Sequence, residues 1–350
     1  MVEAKNWGAY PETLPLLIVF TIFAIAIFAF CIKTRKKEKP LERRITEVSL
    51  GILFLVAAIL FPPIIPPSMI LLINIVIIAT SIFLAVLLLS QILIVRKLRE
   101  AGDDEALKKR DHDHFRQQFE ATFDDLKHDT ARKSLHLISP TVILICVLIG
   151  KIVVNETLSL TLILSIGSIF LLLFAFTDIV RLLKFEWMPP KITGMFASAM
   201  KKHEIGSFTA TFDMVLGMVP AIFFLPLSLV ASIGIIAALA DAAASVVGKR
   251  WGKHKFPRGG KKSVEGYIAG SSVAFIIGFV FILLFGFLIN PYISSIDYLI
   301  PLAFAGVAAL VFFILDVLSL PIDDNVLNPL GITFAFLPIW LMIQAIYPLL

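Results

Sequence analysis

The chain has 350 residues, 58% of them hydrophobic and only 16% charged, with a mean hydropathy of +0.92 and a formal net charge of +5. Soluble domains carry about 45–50% apolar and about 25% charged residues, so this composition excludes a water-soluble globular enzyme and a disordered chain. Runs of roughly 20 nearly uncharged residues recur, long enough to cross a hydrocarbon layer about 30 Å thick, and the chain reads as an all-α, polytopic membrane bundle.

Ten segments meet that length: 14–32, 46–65, 68–95, 135–154, 157–177, 206–225, 227–248, 266–289, 298–320 and 327–349. The first follows Pro15, lacks a cleavage-site pattern and reads as a retained span. The second ends in Phe61-Pro62-Pro63 and Pro66-Pro67, and reads as a span or as a kinked, re-entrant segment. Cys31 and Cys146 both lie in apolar runs and suggest neither a disulfide framework nor a metal cluster. Lys and Arg number 7 in 33–44, 10 in 96–133, 5 in 178–205 and 7 in 249–263, which leaves only Lys5 and Lys151 elsewhere. With ten spans, all four basic segments fall on one side. Positively charged loops stay cytoplasmic, so both termini are expected outside. The outer connections are short, and any chemistry must sit in the membrane or on the cytoplasmic face. The organisation expected is three spans in 1–95, a cytoplasmic amphipathic linker in 96–133, and a membrane-embedded catalytic unit in 134–350.

The linker is nearly neutral, with ten basic and ten acidic residues. Phe115, Phe119, Phe123 and Leu126 fall at helical spacing, which predicts an amphipathic helix at the membrane surface. Its Asp111-His112-Asp113-His114 run reads as a solvated face rather than a metal site, because alternating residues do not share a helix face. Asp178 and Arg181, at i and i+3, serve either as a structural anchor or as part of a site. Asp241 lies inside an apolar span, where a carboxylate is costly and faces a protein interior or polar cavity. Ser245 and Gly248 follow it on the same helix face, and the surrounding alanines allow close approach. The alternative is a plain ion pair with a buried Arg.

Seven cations and no acid lie in Lys249–Ser263, with three glycines and a proline that shape a loop. Such a loop offers ammonium and backbone N–H groups to a polyphosphate, or it merely reflects topology and attraction to anionic lipid. The G-x-x-x-x-G-K-[ST] spacing is absent. Near the C-terminal end, Pro321-Ile322-Asp323-Asp324-Asn325 supplies hard oxygen ligands suited to Mg²⁺, or a polar turn with Asn325 capping the next helix. Together, cations for phosphate, metal ligands and a base are the parts phosphoryl transfer needs.

Several separated motifs resemble the CTP-dependent lipid kinases, the group holding dolichol kinase, phytol kinase and a CTP-using diacylglycerol kinase. These are Arg132-Lys133-x-x-His136, Asp241-x-x-x-Ser245-x-x-Gly248 with Gly252, Lys262-Ser263-x-Glu265-Gly266, and Ile322-Asp323-Asp324-Asn325-Val326-x-x-Pro329-Leu330. Gly206-Ser207-Phe208-Thr209 through Gly217 matches more loosely. The resemblance covers about 130–330 and leaves the first three spans outside. Asp316 stands where the family usually has Glu, and Phe208 where an aromatic hydroxyl is common. The resemblance implies CTP as donor with Mg²⁺, and a membrane lipid alcohol as acceptor, dolichol or another polyprenol first, with no role for nucleic acid. It implies metal or proton-acceptor roles for Asp241, Asp323 and Asp324. Nucleotide contacts would come from Ser245, Gly248, Arg250, Gly252, Gly259, Gly260, Lys261, Lys262, Ser263, Glu265 and Gly266. Arg132, Lys133, His136 and Asn325 would meet phosphate or the alcohol. The competing readings are a phosphatidate cytidylyltransferase and a transporter, although the internal symmetry common in transporters is not seen.

Overall fold

Hydrocarbon offers backbone N–H and C=O groups no partner, so a chain this apolar must satisfy them within helices. A computed structural model of the protein describes residues 5–35, 40–153, 155–197, 200, 202–256, 262–289 and 298–346. The helices are α1 (Leu14–Thr34), α2 (Leu41–Leu60), α3 (Ile70–Ala101), α4 (Asp104–Lys108), α5 (His112–Thr122), α6 (Asp125–His136), α7 (Ile138–Ile152) and α8 (Glu156–Leu183). They continue with α9 (Pro190–Ala197), α10 (Ala210–Gly217), α11 (Val219–Phe224), α12 (Leu227–Trp251), α13 (Val264–Ile289), α14 (Leu299–Leu318) and α15 (Asp324–Ile346). α15 carries Pro329 and Pro338 in its interior, and the Thr333 hydroxyl donates to the Pro329 carbonyl at 2.6 Å.

Among the described residues, eight helical segments are long and apolar enough to cross a membrane, fewer than the ten expected. The two that fall short are 46–65 and 206–225. α2 has the length but opens on Glu42, Arg43, Arg44 and Glu47. The sixth segment is two short helices, α10 and α11. Pro220 has no N–H for the Leu216 carbonyl, and the helix divides just before it, ending at Gly217 and starting again at Val219.

α2 nevertheless packs along α1, and α10 and α11 pack along α2. At one end the Tyr10 hydroxyl donates to the Ile59 carbonyl at 2.8 Å, and the Asn6 N–H donates to the Pro63 carbonyl at 2.8 Å. The α10–α11 segment meets α1–α2 at three levels. Phe208 packs on Phe30, Phe212 on Phe54 and Phe223 on Trp7, with ring centroids 5.6, 5.7 and 6.2 Å apart.

The apolar interior forms two main clusters. One joins α1, α2 and α3 with α8, α10 and Val326 of α15. The other joins α11 to α15. The three N-terminal helices thus share a core with the segments that carry the motifs.

The 96–133 stretch is not one surface helix. α3 runs on to Ala101, and α4, α5 and the start of α6 follow. Phe115, Phe119 and Phe123 bury against Ala197, Met200 and Ile205, with Phe115 also on Phe185 at 5.0 Å. The apolar face therefore covers protein, not lipid; the side chain of Leu126 lies outside the described ones. Asp111 caps α5 by accepting the His114 N–H at 2.9 Å, and His112 packs edge-on to Phe185. Asp111 and His112 are thus spent on capping and packing, while the Asp113 side chain is exposed.

Asp178 and Arg181 are a structural clamp, both almost wholly buried. Arg181 donates to Asp178 Oδ1 at 2.7 and 3.2 Å and to the carbonyls of Glu204, Ile205 and Ser207 at 3.0, 2.8 and 2.6 Å. Asp178 Oδ2 accepts both the N–H and the hydroxyl of Thr209 at 2.9 Å. The pair fastens the entry to α10 onto the end of α8. Removing one partner strands a buried charge, so Asp178→Ala should lower stability by about 3–5 kcal/mol. Thermal unfolding in detergent measures this, and Thr209→Val should cost only about 1 kcal/mol by the same assay.

Candidate functional site

Charges that lie among apolar helices must be paired, and the pairing draws four motif regions together. Lys133, in the last turn of α6, donates to the Asp241 carboxylate and, at 2.9 Å, to the Asp241 main-chain carbonyl. These two residues lie 108 positions apart in sequence. Lys262, just before α13, donates to the Asp316 carboxylate and to Asp324 Oδ2, the latter at 3.0 Å. One ammonium therefore ties α13 to the end of α14 and the start of α15. Burial by itself would push the Lys262 pKa down; the carboxylates of Asp324 and Asp316 outweigh it and hold the pKa above the ordinary lysine value.

Asp323, not Asn325, caps α15. Its carboxylate accepts the Asn325 N–H at 2.9 Å and the Asn325 side-chain amide, and its carbonyl accepts the N–H groups of Val326 and Leu327, each at 3.0 Å. The Asp323 N–H donates to the Thr46 hydroxyl of α2 at 3.0 Å. Asn325 sits inside the first turn, where Gly217 lets α10 approach. A Cβ on Gly217 would stand 2.8 Å from Pro329 Cγ and 3.3 Å from the Asn325 carbonyl oxygen.

The two halves are one site. Asp324 lies within electrostatic reach of Asp241 and Asp323 as well as Lys262. His136 lies within reach of Arg132, Lys133, Asp241 and Asp323. The side chains grade inward: Lys262 and Asp324 are about a third exposed at 33% and 35%, whereas Arg132 and His136 are 4% and 2% exposed. His136 Nε2 is buried with no hydrogen-bond partner among the described residues.

The loop after α12 is a hairpin. Lys255 and Ser263 bridge antiparallel, and the Val264 N–H donates to the His254 carbonyl at 2.9 Å. Glu265 accepts from the His254 N–H at 3.2 Å and pairs with its Nδ1 at 2.6 Å. The Tyr267 hydroxyl donates to the Phe256 carbonyl at 2.6 Å. Ser263 Oγ caps α13 by accepting the Gly266 N–H at 3.2 Å. Gly252 is required by close approach: its Cβ would lie 2.2 Å from the Gly248 carbonyl oxygen and 2.4 Å from Ser263 Oγ.

Gly248, Gly252, Ser263, Glu265 and Gly266 thus shape the hairpin and the α12–α13 crossing, and Lys262 reaches the carboxylates of Asp316 and Asp324. Arg250 is exposed, 5.4 Å from the Trp251 ring centroid. Ser245 is half-buried one turn beyond Asp241. Gly259, Gly260 and Lys261 lie outside the described residues.

Sequence reading missed three buried polar residues at or near this end: Thr46, Glu47 and Asp213. The two acids carried a signal, since a carboxylate within an apolar stretch marks a special environment. Thr46 carried none.

The carboxylates also bear on a metal. Among the described residues, no group of three or more His, Cys, Asp or Glu side chains is arranged as a metal cage. Mg²⁺ is commonly held by one or two carboxylates plus substrate phosphates. The donor set therefore fits a metal that arrives with phosphate, not a caged resident ion.

Comparison with protein-family models, curated proteins and solved structures returns no match.

Two substitutions separate the hairpin's capping from its packing. Ser263→Ala should cost about 1 kcal/mol through loss of the cap. Gly252→Ala should be far worse, because its Cβ meets backbone that cannot yield. Unfolding midpoints of the two variants in detergent test that order.

Proposed function

We propose that this integral membrane protein is a lipid-alcohol kinase that transfers the γ-phosphoryl group of CTP to the hydroxyl of a polyprenol such as dolichol. The observation that carries the reading is the meeting of Lys262, Asp316 and Asp324 beside the Lys133–Asp241 pair. Residues scattered from 132 to 325 converge at one end of the bundle, next to the basic hairpin. The motif resemblance supplies CTP and the alcohol. With α2 and the α10–α11 segment counted as crossings, the positive-inside rule favours this end at the cytoplasmic leaflet, with both termini outside.

In this reading the substrate-free site neutralises itself. Lys133 and Lys262 occupy the carboxylates, and both ammonium groups are positioned to turn to phosphate oxygens. Asp323 and Asp324, with Asp241, would hold Mg²⁺, which would supply neutralisation of charge on the phosphates. The alcohol oxygen forms a bond to the γ-phosphorus as the β–γ bridging bond breaks, and CDP leaves. The hydroxyl proton passes to a carboxylate of the cluster. His136 Nε2, buried with no hydrogen-bond partner among the described residues, offers a polar contact to the alcohol head. The tail remains between helices in the bilayer, where each buried CH₂ contributes about 0.8 kcal/mol.

The test is label fate in proteoliposomes given CTP and a panel of lipid alcohols. Label on the γ-phosphate should appear in the lipid. Transfer of the cytidine portion instead would show a cytidylyltransferase, and no transfer to any alcohol would reject the kinase. Asp324→Asn is the informative variant, because Lys262 keeps Asp316 as a partner and the fold is spared. It should lower kcat by about 10²–10³-fold with an unfolding midpoint near wild type. Lys262→Ala leaves two carboxylates without their shared cation, and should lose stability as well as rate.

A further inference from the structure

The three N-terminal spans lie outside the motif-bearing region, and the simplest role for them is a membrane anchor. One contact argues otherwise. The Asp323 N–H, at the mouth of the carboxylate cluster, donates to the Thr46 hydroxyl of α2 at 3.0 Å across a separation of 277 residues. Thr46 is 8% exposed, and its neighbour Glu47 is 3% exposed.

The geometry of the turn gives that contact weight. Asp323 has committed Oδ1 to Asn325 and its carbonyl to Val326 and Leu327. Its own N–H precedes the helix and has no helical acceptor. Thr46 is the residue that satisfies it. The bond is part-buried and leaving its donor unmade would cost stability, so the hydroxyl helps to hold the turn's height relative to α2. Asp324 is the next residue, and its carboxylate meets Lys262.

The anchor for this turn also sits on a stiff element. α2 packs along α1 through Phe54 on Phe20 and Phe23, with ring centroids 5.6 and 5.9 Å apart. A displacement of Thr46 would have to move that hairpin.

We infer that α2 is a working part of the site, and that Thr46 is a positioning residue that sets the Asp323–Asp324–Asn325 turn against Lys262. Thr46 touches no reacting atom. This inference rests on the phosphoryl-transfer reading of the same site, but can fail separately from it.

The test uses the full chain in proteoliposomes with γ-labelled CTP and a polyprenol, comparing wild type, Thr46→Val and Thr46→Ser. Valine keeps the shape and removes the acceptor; serine keeps the acceptor. Thr46→Val should lower kcat by about 10- to 100-fold, the range for lost support of a site residue, and should change the KM for the lipid less than threefold, on the order of the scatter between independent preparations. Thr46→Ser should recover most of the rate.

Amide hydrogen exchange over 319–326 gives a readout independent of turnover. It should quicken in Thr46→Val and stay near wild type in Thr46→Ser. A Thr46→Val enzyme with wild-type kcat overturns the inference and leaves the kinase reading standing. So does a Thr46→Ser enzyme as slow as Thr46→Val, which would show that packing of the methyl group is what counts. A wild-type protein that transfers no label overturns both.

Discussion

An ammonium group that serves two carboxylates at the end of a membrane bundle is held there by the dielectric around it. Lys262 reaches Asp316 and Asp324 from a third segment, and none of the three could be buried alone without a large desolvation cost. That requirement brings α13, α14 and α15 to one point. Lys133 and Asp241 impose the same condition on α6 and α12. The helices carry the apolar surface, but these charges fix which ends meet.

The hairpin between α12 and α13 serves that arrangement by being closely packed. Gly248, Gly252 and Gly266 bring two backbones together around Ser263, and Glu265 holds the returning strand by His254. Lys262 leaves this closely packed frame toward Asp316 and Asp324. In the fold, Gly248, Gly252 and Gly266 allow the close packing from which that lysine emerges.

How far the sequence could be read depended on what each pattern encodes. Length and apolarity are local, so the eight long spans were legible. Segregation of Lys and Arg pointed to one basic end, and Asp241 and the Asp323–Asp324 pair stood out because charge is rare in such surroundings. Partners were another matter. The spacing of Phe115, Phe119 and Phe123 shows an apolar face but not what covers it, and protein rather than lipid does so. The Lys133–Asp241 pair and the Thr46–Asp323 bond join residues far apart in the chain, which no single-segment pattern reveals. The interruption at Pro220 was visible in principle, since a proline four residues beyond Leu216 removes a helical bond. Hydropathy averaged over the segment concealed it.

Pro329 follows the Asp323–Asn325 turn by one helical turn, and proline lacks the N–H that would bind the Asn325 carbonyl. The opening coil of α15 is therefore tied to the rest of the helix by one backbone bond fewer than an unbroken helix would provide. α15 nevertheless stays continuous through this point, and the Asn325 carbonyl, freed of a helical donor, is an atom against which Gly217 admits α10.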